Sequence, residues 1–192
     1  WLPRRLAMFH ALYPGVVLNV SISNTREVET AVVNGAADIG FVEGSTRAPQ
    51  LVLDEVDYDQ LVLVGATPTW GPRRNDPIDI AALPWIVRET GSGTREVLER
   101  IANNAGLKWQ DLNVVLELPS NEAVREAVDA GAGVTLISRY VISASIESGT
   151  LCQLELDIPP RTYHMARHRK RIPSAARRAF VDMVLAGNLP AT

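Results

Sequence analysis

Three polar clusters carry the residue types that could hold a small ligand. The fullest is Arg88-Glu89-Thr90-Gly91-Ser92-Gly93-Thr94-Arg95, which follows the apolar run at 85–87 and opens a helical pattern. A helix start has unpaired backbone N–H groups and about half a positive charge from the summed peptide dipoles. Gly91 and Gly93 lack Cβ, so a ligand can approach the main chain. Ser92 and Thr94 add hydroxyls, and Arg95 adds a bidentate cationic donor. Together these groups make a cradle for an oxyanion. The same spacing also describes an ordinary turn with Ser92 as helix cap, and spacing alone leaves both readings open.

The second cluster, Pro119-Ser120-Asn121-Glu122, also opens a helix, where Ser120 or Asn121 either caps it or meets a ligand. The third is Ser23-Asn24-Thr25, ahead of a helical stretch at 27–33. Each follows a strand pattern. In open α/β sheets, ligands bind at that edge.

Other chemistry is poorly supported. There is no G-x-S-x-G elbow, no H-E-x-x-H helix, no C-x-x-C pair and no P-loop. The dinucleotide fingerprint fails because Glu96 stands where its third glycine belongs. His10 reads as a surface or interface residue on the first helix. His164 and His168 are four apart, but in a strand pattern crowded with cations, so no metal site is expected. Cys152 has no disulfide partner within the chain and gives no sign of an oxidising compartment. No nucleophile–base pair is apparent, and the sequence calls for no cofactor.

The elements that must position these clusters are legible from periodicity. Helical spacing appears at 2–13, 27–33, 93–105, 121–130, 140–147 and 174–185, and strand patterns at 16–22, 38–42, 85–87, 114–118, 134–137, 151–156 and 163–167. Two further apolar runs fall between 51 and 65, and 68–77 reads as a loop. Strands alternating with helices imply an α/β fold of mainly parallel sheets covered on both faces. The proline-rich loop suggests a boundary between two lobes, 1–65 with 149–192 and 66–148, with crossings near Gly65 and Ser148.

The chain has 192 residues, 46% of them hydrophobic and 21% charged, enough to bury a core without disulfides or metals. Its net charge of -3 argues against nucleic-acid binding by the chain as a whole. Between Arg161 and Arg178, however, stand seven Lys/Arg residues and no acid, either a solvated face or a phosphate-contacting tail. No apolar stretch is long enough to span a membrane. A chain starting at Trp1 reads as a fragment.

In order, Leu2-Pro3-Arg4-Arg5-Leu6 with Phe9, Tyr13-Pro14-Gly15-Val16, Gly35, Asp38-Ile39-Gly40-Phe41-Val42-Glu43-Gly44 and Leu61-Val62-Leu63-Val64 form the first half of a recognisable series. Ile80-Ala81-Ala82-Leu83, the turn at 88–95, Val128-Asp129-Ala130-Gly131-Ala132-Gly133-Val134 and Leu136-Ile137-Ser138-Arg139 complete it. The series resembles the effector-binding domain of LysR-type transcriptional regulators, in a form most like regulators of sulfur assimilation and carbon fixation. The resemblance implies a type II periplasmic-binding-protein-like fold, two Rossmann-like lobes joined by two crossings, with a small effector held between them. It implies a cytoplasmic regulator whose regulatory domains pair as dimers or tetramers. It points to a small anion or phosphorylated metabolite contacting Asn24, Thr25, Glu43, Gly44, Ser92, Gly93, Thr94, Arg95, Ser120 and Asn121. The family's winged helix-turn-helix and its first strand are missing, so DNA contact belongs to an absent N-terminal domain and the first sheet is expected to lack a strand. An extracytoplasmic anion-binding protein of a transporter is the alternative, and an enzyme on this fold a further rival.

Overall fold

A computed structural model describes residues 2–43, 48–73 and 75–186. The chain forms two compact units, one of residues 1–57 with 162–192 and the other of residues 58–161.

The first unit is built on a three-stranded sheet of β1 (Gly40–Glu43), β2 (Leu51–Asp59) and β8 (Arg161–His168), in the order β1-β8-β2. β1 and β8 are antiparallel, with Gly40 opposite Ala166 and Glu43 opposite Tyr163. Helix α1 (Leu2–Leu12) turns Leu2, Leu6 and Phe9 onto α7 (Ala175–Ala186), as the helical spacing predicts. Phe9 and Phe180 meet edge-on with centroids 5.1 Å apart. Helix α2 (Thr25–Asn34) buries Val32 with Val42 and Leu51 in a second cluster.

The second unit holds a five-stranded sheet in the order β5-β4-β6-β3-β7: β3 (Leu61–Ala66), β4 (Trp85–Arg88), β5 (Val114–Leu118), β6 (Val134–Ser138) and β7 (Leu151–Leu154). Helices α3 (Thr67–Trp70), α4 (Gly93–Asn104), α5 (Asn121–Asp129) and α6 (Arg139–Glu147) connect them. One apolar cluster joins Trp85, Val87, Leu98 and Leu136, and another joins Val64, Ile86, Val124 and Ile137. Neighbouring residues of one strand thus feed opposite faces. This explains why β3, β4 and β6 read as continuous apolar runs.

Four expectations are corrected. The stretch 16–22 belongs to no strand, and Val17 and Ile22 are 82% and 97% exposed. Its alternation defines faces, but among the described residues no strand supplies the ladder partner that a sheet requires. The segment 68–77 is not all loop, because Pro68 lies in the first turn of α3, where its missing N–H costs nothing. The sheets are mixed rather than mainly parallel: β4 runs parallel to β5 and β6, while β3 runs against both β6 and β7. β3 follows β2 in sequence with only Gln60 between them, yet the two strands belong to different sheets. Finally, the chain divides near 57/58 and 161/162 rather than near Gly65 and Ser148. β3 and β7 therefore lie inside the five-stranded sheet of the second unit.

Candidate functional site

In the second unit, β4 and β5 are adjacent and parallel, with Arg88 opposite Leu118. Their C-terminal ends therefore deliver the starts of α4 and α5 side by side. Arg88 links the two: its Nη1 donates to Asn121 Oδ1 at 2.7 Å, while its Nε and Nη2 grip Glu89 at 2.7 and 2.9 Å. Gly91 takes φ 95°, a left-handed conformation that disfavours side chains, and so lets the turn reverse into α4.

Helix starts separate by what caps them. Asn24 Oδ1 accepts from Glu27 N at 3.0 Å, and Ser120 Oγ accepts from Ala123 N at 3.1 Å. Ser138 and Ser174 similarly accept from Tyr140 N and Arg177 N. Ser92 occupies the N-cap position of α4, is 3% exposed, and makes no side-chain cap bond. The first-turn N–H groups of α4 and the Ser92 hydroxyl are thus left uncommitted by capping, which removes the plain-cap reading for this turn.

Thr94 and Arg95 have different fates. Thr94 Oγ1 accepts from Arg161 Nη1 at 3.2 Å. Arg95 is engaged within the unit: Nε donates to Glu99 at 2.9 Å, Nη1 to Glu117 at 2.6 Å, and the guanidinium lies 4.2 Å from the centroid of Trp109. Two carboxylates and an aromatic face thus occupy its guanidinium. Its role is to hold α4 against β5. Arg88, Arg95 and Arg161 are all ion-paired, so what the α4 start leaves uncommitted is its neutral donors and the helix dipole.

A buried network went unrecognised in the sequence. Asp59 accepts from Ser138 Oγ at 2.5 Å and from Arg161 Nε and Nη2 at 2.8 and 2.6 Å. Asp59 and Arg161 are 1% and 7% exposed. The pair fastens the segments by which the chain enters and leaves the second unit, and through Thr94 it reaches α4. The available signal was an acid between two apolar runs, but its partner lies 102 positions away. Beside Thr94, Arg95 and Thr135 the unit leaves about 10 Å³, room for roughly one water.

Of the remaining predicted contacts, Asn24 caps α2, Thr25 is its first residue and Glu43 ends β1, all in the first unit. Gly44 lies outside the described residues. Among those residues no cluster of His, Cys, Asp or Glu has the geometry of a metal site. His164 and His168 sit on β8, as the strand pattern predicts.

Comparison with known proteins converges on one family. Residues 1–188 match the family model of the LysR substrate binding domain. Over 194 residues the chain is 34% identical to the uncharacterized HTH-type transcriptional regulator YeiE of Escherichia coli (strain K12), covering 98% of this chain and 64% of YeiE. It is 35% identical over 143 residues to the HTH-type transcriptional regulator CysL of Bacillus subtilis (strain 168), covering 73% of this chain and 47% of CysL. The fold superposes on the CcmR regulatory domain of Synechocystis PCC6803, solved in complex with 2-PG, with a TM-score of 0.87 at 24% identity, covering 99% of this chain and 92% of that one. The chain spans less than two thirds of the length of either curated relative.

Proposed function

The chain belongs to the LysR substrate binding domain family, and from that premise we propose that it senses a small oxyanion or phosphorylated metabolite at the start of α4. It is an effector-binding domain with the type II periplasmic-binding-protein-like fold, and its family is one of transcription regulators. One observation carries the choice of site. Ser92 and the first N–H groups of α4 are uncommitted by capping, whereas the predicted contacts Asn24 and Ser120 cap their own helices.

In this reading Ser92 and Gly93 donate to the anion and Thr94 is oriented by Arg161. Asn121, bound by Arg88, flanks the site on α5. Arg95 holds the helix. The whole protein would bind DNA through a separate N-terminal domain and act in the cytoplasm. The exposed Met8, Leu12, Val17, Val20 and Ile22 support pairing of regulatory domains as a homodimer or tetramer. An effector would change transcription only by binding two arrangements of that assembly with different affinity.

A thermal-shift series tests the site, using sulfate, sulfite, thiosulfate, phosphate, small carboxylates and 2-PG, the ligand of the CcmR domain. A ligand bound at 100 times its Kd stabilises by about 2.7 kcal/mol. At least one oxyanion should raise Tm, and Ser92→Ala should abolish the rise. A flat response to every anion, with a shift from a neutral or aromatic compound, removes the anion reading.

A further inference from the structure

The basic run between Arg161 and Arg178 has no role at α4 apart from Arg161. The rest of it surrounds a recess of about 350 Å³ lying wholly in the first unit. Arg167, Arg169, Arg171, Arg177 and Arg178 line it, with Asp182 as the acid on the wall. Arg167 is neutralised by Asp54, with Nε 2.8 Å from Oδ2. Arg171 donates to Val32 O and Val33 O at 3.1 and 3.0 Å, and Arg178 donates to Pro173 O at 2.8 Å. Arg169 reaches Leu51 O at 3.4 Å. Carbonyls orient these guanidiniums without cancelling their charge. Five cations face two carboxylates, one of which, Asp54, is occupied by Arg167.

Arg177 is the decisive residue. It is 8% exposed, and its buried Nε has no hydrogen-bond partner. Leaving a charged donor unpaired away from water is costly. Its position adds to the cost: Arg177 and Arg178 stand in the first turn of α7, where the helix dipole is already positive and no acid offsets it. Folding alone gives no reason to keep two arginines there.

We propose that this recess is a second ligand site, binding a small, multiply charged phosphate-type anion, independent of the α4 start. The anion receives hydrogen bonds from Arg177 and Arg178, and Arg169 and Arg171 supply the surrounding field. The space suits a phosphate or pyrophosphate group with a small body attached. A duplex backbone would instead favour an open, extended basic face.

The test is titration of the chain with inorganic phosphate and with pyrophosphate at constant ionic strength, followed by calorimetry and Tm. Saturable binding is expected with the unmodified chain and with Ser92→Ala. Arg177→Met should weaken binding at least tenfold while leaving the Tm of the unliganded protein unchanged or higher, because a buried donor without a partner is gone. Arg178→Gln, at an exposed position, should weaken binding several-fold and is informative even if Arg177→Met folds poorly. Absence of saturable binding, or unchanged affinity in Arg178→Gln and in folded Arg177→Met, overturns the proposal. So does binding of duplex DNA that is lost in Arg178→Gln while phosphate does not bind.

Discussion

Replacing Arg161 by Met should destabilise the second unit severely, for a reason visible in the geometry. Asp59 has 0% of its side chain exposed, and Arg161 supplies two of the three hydrogen bonds it receives, leaving only Ser138 Oγ. Removing one partner of a buried pair strands the other charge and costs about 3–5 kcal/mol. In a chain of this size, each kcal/mol lowers Tm by roughly 2–4 °C, so a fall of about 6–20 °C is expected. Replacing both partners, as Asp59→Leu with Arg161→Met, removes the stranded charge and should recover most of the loss, since apolar replacement of buried pairs is often neutral or stabilising. Denaturant unfolding followed by circular dichroism measures all three variants as a double-mutant cycle. Binding should not recover with stability, because Thr94 Oγ1 has lost its Arg161 donor in the double variant as well. If Arg161→Met costs under about 1 kcal/mol and the single effects add, the pair is not the buried fastening inferred above. If the double variant binds anion like the parent, Thr94 is not positioned by Arg161.

Other consequences can be checked with the same instruments. Ser120→Ala should cost about 1 kcal/mol by removing a helix cap, whereas Ser92→Ala, with no cap bond to lose, should change unfolding free energy by less than about 0.5 kcal/mol. Arg95→Ala should lower stability by roughly 1–3 kcal/mol through loss of the ion pairs and the Trp109 contact, while an oxyanion-induced Tm rise persists. Gly133→Ala should be destabilising by about 1–3 kcal/mol, because its Cβ would collide with the carbonyl oxygen of Pro84, a backbone atom that cannot swing aside.

Most elements were legible because the buried faces repeat with the right period. The helix at 93–105 is seen as α4, with Val97, Leu98 and Ala102 buried, and the apolar run at 134–137 becomes a fully buried β6. Pairing was less legible. The alternation at 16–22 is as clean as that of any strand, yet alternation specifies faces and says nothing about whether a neighbour exists. The mixed sheet was missed for a related reason. A hydrophobic run has no direction, so periodicity does not say that β3 runs against β6 and β7. The crossings escaped because β2 continues almost without interruption into β3, so no glycine or proline punctuates the passage.

The three helix starts read alike in sequence because Ser and Asn both cap helices and contact ligands. Only coordinates reveal which hydroxyl is already engaged, and they divide residues that composition had grouped. For Arg95 the sequence shows a cation beside a glycine turn but not the two carboxylates it pairs with, Glu99 on α4 and Glu117 on β5. With that cation committed, the proposed anion would meet N–H groups, hydroxyls and the helix dipole at the α4 start. A buried ion pair such as Asp59–Arg161 contributes little net stability compared with apolar packing. Its contact with Thr94 offers a better reason for its presence. A fixed guanidinium holds the hydroxyl acceptor and leaves the proton of Thr94 free to point toward a ligand. Such preorganisation lowers the ordering cost of binding. If the proposed site binds an anion, its selectivity would come from the direction of these donors rather than from net charge, in contrast to the arginine-lined recess proposed for the first unit.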